Sequence, residues 1–203
     1  MNKVDTIVFD LGNVLIDWNP SYLFDKVFEN DIEKKTYFFK NICTEEWHAR
    51  QDAGRPVMVA TDELVNKYPD WEQPIRAFYD RWKEMFHGPI NGSVEILKEL
   101  KARNYKLFAL TNWSAELFKL ALEDFEFLHW FEGIVVSGEE KMNKPVKDIY
   151  LILLNRYHID PERTIFIDDK IKNVQAAEEA GMKGIQFQSP EQLKQALKDY
   201  GCF

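Results

Sequence analysis

Short apolar runs alternate with longer segments of helical period along most of this chain, and that alternation restricts the fold more than any other feature. The runs fall at residues 6–9, 106–110, 133–136, 164–167 and 184–187. They have strand length, and most are closed by turn-forming or polar residues. Segments at 93–103, 114–124, 146–157, 171–180 and 190–200 carry apolar residues at helical spacing. Strand and helix in turn predict an α/β fold, a parallel sheet covered by helices on both faces. The strands are apolar throughout, as strands buried on both sides are.

One stretch interrupts this rhythm. From residue 20 to residue 87 the pattern offers no good strand, only helical period rich in aromatics such as Phe24, Phe38, Trp47, Phe78 and Trp82. We read it as a helical module inserted after the first strand, with Gly88-Pro89 marking the return to the sheet. The expected division is 1–16 and 89–203 for the sheet domain and 17–88 for the insert. Most of those aromatics are expected to be the insert's own packing. Trp18 differs, because in Asp17-Trp18-Asn19-Pro20 it directly follows the first strand, where it could line a cleft between insert and sheet.

With 203 residues, 45% of them hydrophobic, the chain can bury one core and a small accessory module. The net charge of −8, without any Lys/Arg cluster, argues against a nucleic-acid partner. It also requires that a site for an anion gather positive charge locally. No segment is apolar enough to span a membrane, and the N-terminus lacks a secretory pattern. Cys43 and Cys202 make neither a disulfide framework nor a metal-ligand spacing. A cytoplasmic monomer or homodimer is expected.

In an open parallel sheet, ligands bind beyond the carboxyl ends of the strands, where strand order reverses. Those ends deliver Asp10, then Thr111-Asn112, then Ser137-Gly138, then Asp168-Asp169, with Lys144-Pro145 at the start of the next helix. Asp10 could attack an electrophile covalently, or simply satisfy turn amides. Gly12 would let the backbone turn sharply and bring a carbonyl close to a ligand. Carboxylates converging from two strands repel unless a cation lies between them, and oxygen ligands of this kind suit magnesium. An Asp at 168 or 169 could equally cap the helix that follows. Lys144 at an N-cap position, facing the positive end of a helix dipole, makes sense with an anion before it. Thr111, Asn112 and Ser114 read either as a phosphate-binding turn or as helix capping.

Taken together these stretches resemble the haloacid dehalogenase superfamily over nearly the whole chain. Phe9-Asp10-Leu11-Gly12-Asn13-Val14 is similar to its first motif, Leu110-Thr111-Asn112 to its second, and Lys144-Pro145 to its third. Phe166-Ile167-Asp168-Asp169, followed by Asn173, is similar to its fourth. The resemblance implies a Rossmann-like sheet core closed by a small helical cap, and hydrolysis of a small phosphorylated metabolite. It implies Asp10 as nucleophile, with Asp10, Asp169 and the Gly12 carbonyl as Mg2+ ligands. Thr111 and the Asn112 amide would hold phosphoryl oxygens, and Lys144 would neutralise the transferring group. Asp168 stands where many members have Gly or Ser.

Most phosphatases of this superfamily carry a general acid two residues after the nucleophile, where this chain has Gly12. Asp17, His48 or a metal-bound water are candidate replacements. Without one, substrates with acidic leaving groups would be favoured, which makes sugar phosphates, sugar 1-phosphates above all, candidate substrates. Trp18, Trp47, His48 and Arg50 are the insert's candidates for substrate contact. Two other functions compete. One is a metal-free haloacid dehalogenase using Asp10, which the paired acids at 168 and 169 argue against. The other is a binding protein that kept the fold without turnover, which the retained nucleophile, lysine and metal carboxylate argue against.

Overall fold

A computed structural model describes residues 3–203. Met1 and Asn2, the start of the expected core segment and of the N-terminal stretch read for a secretory pattern, lie outside the described residues.

Five parallel strands form the central sheet: β1 (Thr6–Phe9), β4 (Lys106–Thr111), β5 (Gly133–Val136), β6 (Thr164–Asp168) and β7 (Lys183–Gln186). They lie in the order β5-β4-β1-β6-β7. Progression along the sheet therefore reverses at β1, and Asp10 leaves the sheet at that reversal, between β4 and β6. Successive side chains point to opposite faces. Ile7 and Phe9 join one apolar cluster with α6 (Asn91–Ala102), α7 (Ala115–Asp124) and α11 (Pro190–Asp199). Val8 and Phe166 join another with α9 (Lys147–Arg156) and α10 (Ile171–Glu179). Both faces are thus dry, which explains the unbroken apolar runs.

The insert folds as α1 (Ser21–Val27), α2 (Ile32–Asn41), α3 (Glu45–Asp52), α4 (Val57–Lys67) and α5 (Glu72–Asp80). Local sequence sets the starts of α2 and α3: Asp31 and Thr44 accept hydrogen bonds from Lys34 N–H and Trp47 N–H. The centre is aromatic, with Phe24 and Phe38 ring centroids 5.1 Å apart and Trp47 edge-on to Phe78 at 5.4 Å. These rings belong to the same apolar cluster as one face of the sheet.

Two features differ from expectation. Phe86–Pro89 (β3) pairs antiparallel with Ile16–Trp18 (β2). The expected boundaries at 16/17 and 88/89 therefore cut through a two-stranded ribbon that ties together the chain's exit to the insert and its return. Gly88-Pro89 belongs to an edge strand of that ribbon, where a proline is tolerated. Second, α9 begins at Lys147 with Val146 as its N-cap, and Lys144-Pro145 is a cis peptide preceding it. Lys144 is not a capping residue, so the helix-dipole reading of it fails. A short helix, α8 (Ser137–Glu140), follows β5 directly.

Candidate active site

A cleft of about 930 Å³ opens at the carboxyl ends of β1, β4 and β6, beneath the insert. Asp10, Gly12, Thr111, Asn112, Lys144 and Asp169 all line it. The expected site residues thus come together, those of β1, β4 and β6 at the strand ends assigned to them and Lys144 from the loop before α9.

Lys144 lies at the centre. Its side chain is 1% exposed, and Nζ is 2.9 Å from Asp10 Oδ1 and 2.7 Å from Asp168 Oδ2. Nζ also donates to the Leu110 carbonyl at 2.8 Å. An ammonium buried this deeply needs such partners. Against the cost of burial, Asp10 and Asp168 hold its pKa above the usual lysine value. The loop that carries Lys144 is pinned by Asn112: Lys144 N–H donates to Asn112 Oδ1 at 2.8 Å, and Asn112 Nδ2 donates to the Lys144 carbonyl at 3.1 Å. The Asn112 side-chain amide is therefore spent on the Lys144 backbone, which leaves its main-chain N–H for the phosphoryl role expected of the Asn112 amide.

Asp10 accepts from Leu11 N–H at 2.7 Å and is almost wholly buried. Burial, opposed by Lys144 and reinforced by Asp168 and Asp169, pushes its pKa up to about 7. Oxygens of Asp10, Asp168 and Asp169 lie within 4.8 Å of one another. That donor set fits a hard divalent cation, yet the three carboxylates are not equivalent. Asp168 is fully buried and accepts from Lys144 Nζ, from Lys170 N–H at 2.8 Å, and from Asn173 Nδ2 at 2.9 and 3.0 Å. Its oxygens are committed to orienting Lys144 and the turn into α10. Asp169 is only partly buried, and burial followed by the neighbouring Asp168 raises its pKa. Asp10 and Asp169 are the carboxylates left for a cation.

Gly12 is not forced by backbone geometry. The left-handed residue of this turn is Asn13, at φ 57°, and a Cβ built on Gly12 would meet nothing within 4 Å. The sharp turn expected of Gly12 falls one residue later.

On the insert side, Trp18 and His48 line the cleft while Trp47 and Arg50 do not. The helix explains the split: Arg50 sits about 200° around α3 from His48, and pairs with Glu46 outside. Asp17 also points away, because successive residues of β2 face opposite sides. It accepts from Tyr22 Oη at 3.0 Å and does not line the cleft. Sequence reasoning missed Asp52, Asn143 and Lys170, all cleft-lining. The only signal for Asp52 was its i, i+4 relation to His48. Asn143 Nδ2 donates to the Ala49 carbonyl at 2.6 Å, and Ser137 Oγ donates to the Asp52 carbonyl at 2.6 Å. Both core residues thereby fasten α3 over the site. Lys170 and Lys172 join Lys144 in the cleft, the local positive charge that an acidic chain needs there.

A family model of haloacid dehalogenase-like hydrolases matches residues 7–187. The chain belongs to this family. It is 26% identical over 194 residues to a phosphorylated carbohydrates phosphatase of Thermotoga maritima, covering 90% of this chain and 84% of that one. It is 27% identical over 182 residues to a sesquiterpene phosphatase of Aspergillus oryzae, covering 88% and 87%. Its fold matches that of a family enzyme from Bacteroides thetaiotaomicron, solved with magnesium and inorganic phosphate. The TM-score is 0.69 at 21% identity, covering 92% of this chain and 95% of that one. These two relatives are named phosphatases, and among the described residues of this hydrolase no helix is long and apolar enough to cross a membrane.

Proposed function

We propose that this hydrolase removes the phosphoryl group from small phosphorylated metabolites, sugar phosphates among them, through an aspartyl-phosphate on Asp10. The observation that carries this reading is the ammonium of Lys144 held 2.9 Å from Asp10 at the base of a cleft into which Asp169 also projects. Asp10 attacks phosphorus, and the bond to the leaving oxygen breaks. Lys144 neutralises charge on the phosphoryl oxygens, most strongly as charge builds in the transition state. Thr111 and the main-chain N–H of Asn112 hold those oxygens. Asp168 keeps the Lys144 ammonium in place and does not itself touch substrate. Asp10, Asp169 and the Gly12 carbonyl would hold Mg2+, which when bound supplies charge stabilisation and orients the phosphoryl group. The solved Bacteroides enzyme with magnesium and phosphate supports magnesium as the cation, without bearing on which residues hold it.

The insert acts as a cap over residues 17–88. Its wall presents rings, Trp18 and Trp82 among them, beside the carboxylates of Glu45 and Asp52. Flat apolar faces with a few placed polar groups suit an organic moiety that carries hydroxyls. The Thermotoga relative that acts on phosphorylated carbohydrates supports the same class. A screen of phosphorylated metabolites with and without magnesium tests the reading. Release of phosphate from sugar phosphates in magnesium is expected, and no release from any phosphomonoester would refute it.

A further inference from the structure

The reaction needs a proton for the leaving oxygen, and Gly12 cannot give one. Of the candidate side chains, Asp17 faces away, while His48 lies in the cleft wall. His48 sits on α3, whose next carbonyl, that of Ala49, accepts from Asn143, the residue before Lys144. That bond ties the α3 backbone to the loop carrying Lys144, and His48 lines the same cleft as Asp10 and Lys144. Its ring packs against Trp18 and Tyr79. Trp18 stacks on it with centroids 5.6 Å apart and planes 20° from parallel, and Nδ1 is 3.0 Å from Tyr79 Oη. Nε2 is 3.6 Å from Asp52 Oδ2, near enough for charge attraction and too long for a committed hydrogen bond. The Asp52 backbone is itself fixed, its carbonyl accepting from Ser137 Oγ at 2.6 Å.

Resting on the phosphatase reading, we propose that His48 is the general acid and base of this enzyme, and that Asp52 is the positioning residue that orients its imidazole. As Asp10 attacks phosphorus, the electron pair of the breaking P–O bond goes to the leaving oxygen, which takes the proton from His48 Nε2. Neutral His48 then takes a proton from the water that attacks the aspartyl-phosphate, and Asp10 departs as carboxylate. The sum is ester plus water giving alcohol plus phosphate, with His48 restored as imidazolium. Imidazole is the side chain suited to both transfers near neutrality. The ionisable groups around the pair are Asp52 and Glu45 on α3, Tyr79 on α5, Cys43 before α3, and Lys170 before α10. Burial raises the Asp52 pKa, opposed by His48 and Lys170.

The test compares kcat/KM for propyl phosphate and para-nitrophenyl phosphate, since only the alkoxide needs a proton. For His48→Gln the loss on the alkyl ester should be on the order of 10²–10⁴-fold, and at least about tenfold smaller on the aryl ester. In the unaltered enzyme, the alkyl ester should show a fall in rate toward alkaline pH that the aryl ester lacks. In Asp52→Asn the loss should likewise fall mainly on the alkyl ester and largely spare the aryl ester, as expected if Asp52 orients the imidazole. Aryl hydrolysis by the unaltered enzyme checks the phosphatase reading separately. Equal losses on both esters in His48→Gln, or pH profiles identical for the two esters, would overturn the assignment.

Discussion

Lys144 Nζ stands between two carboxylates, 2.9 Å from Asp10 Oδ1 on one side and 2.7 Å from Asp168 Oδ2 on the other. One of these carboxylates faces the cleft, and the other is sealed behind the lysine with no exposure at all. The lysine is therefore positioned from behind and acts toward the front.

Lys144→Ala should weaken phosphate binding and turnover together. The ammonium meets charge already present in bound phosphate and gains more in the transition state. A loss on the order of 10²–10³-fold in kcat is expected, with a raised inhibition constant for inorganic phosphate. Unchanged affinity and rate would return Lys144 to a purely structural role.

Asp168→Ala should reduce stability, because Lys144 stays buried with one carboxylate fewer. Removing one partner of a buried pair costs up to about 3–5 kcal/mol, readable by urea denaturation. Activity should fall as well, since Lys144 and the turn into α10 lose their anchor. A variant as stable as the parent would contradict the committed role drawn here for Asp168.

Magnesium affinity should depend on pH around neutrality. Burial raises the Asp10 pKa to about 7 in the metal-free site, and a cation binds the deprotonated carboxylate. The sign follows: below that value Asp10 holds a proton that magnesium must displace, so affinity falls as pH drops through 7 and levels off above it. Titration calorimetry in buffers of different ionisation enthalpy should detect proton release at acid pH. Affinity independent of pH between 5 and 8 would contradict the raised value.

Gly12→Asp should fold as the parent does, because the site for its Cβ is open and its backbone is not left-handed. A change of no more than about 0.5 kcal/mol is expected. Placed two residues after the nucleophile, the new carboxylate should restore alkyl ester hydrolysis to His48→Gln. No recovery in a stably folded double variant would mean that the carboxylate does not reach the leaving oxygen.

Most of the sheet was legible because its strands are buried on both faces, which leaves a continuous apolar signature in Ile7-Val8-Phe9 and Ile165-Phe166-Ile167. Asp10, Thr111 and Asp169 were legible for the same reason, each standing where such a run ends. β2 and β3 were not, because a ribbon half exposed and interrupted by Gly88 and Pro89 carries no such signature. Lys144 lines the cleft, though not for the reason its sequence position suggests: α9 starts later than Pro145 implies, and burial between carboxylates, not a helix dipole, accounts for the lysine. Asp52 and Asn143 depend on how α3 lies over the sheet, a tertiary relation with no local periodicity to announce it. Asp17 and His48 could not be ranked until strand parity turned one away from the cleft and the helix face turned the other toward it.

The central claim, a magnesium-assisted phosphatase with Asp10 as nucleophile, is tested most directly by para-nitrophenyl phosphate hydrolysis in magnesium and in excess chelator, for the parent and for Asp10→Asn. The parent should be active in magnesium and inactive in chelator, and Asp10→Asn inactive in both, because an amide neither attacks phosphorus nor holds the cation. Full activity in chelator, or an active Asp10→Asn, would contradict it.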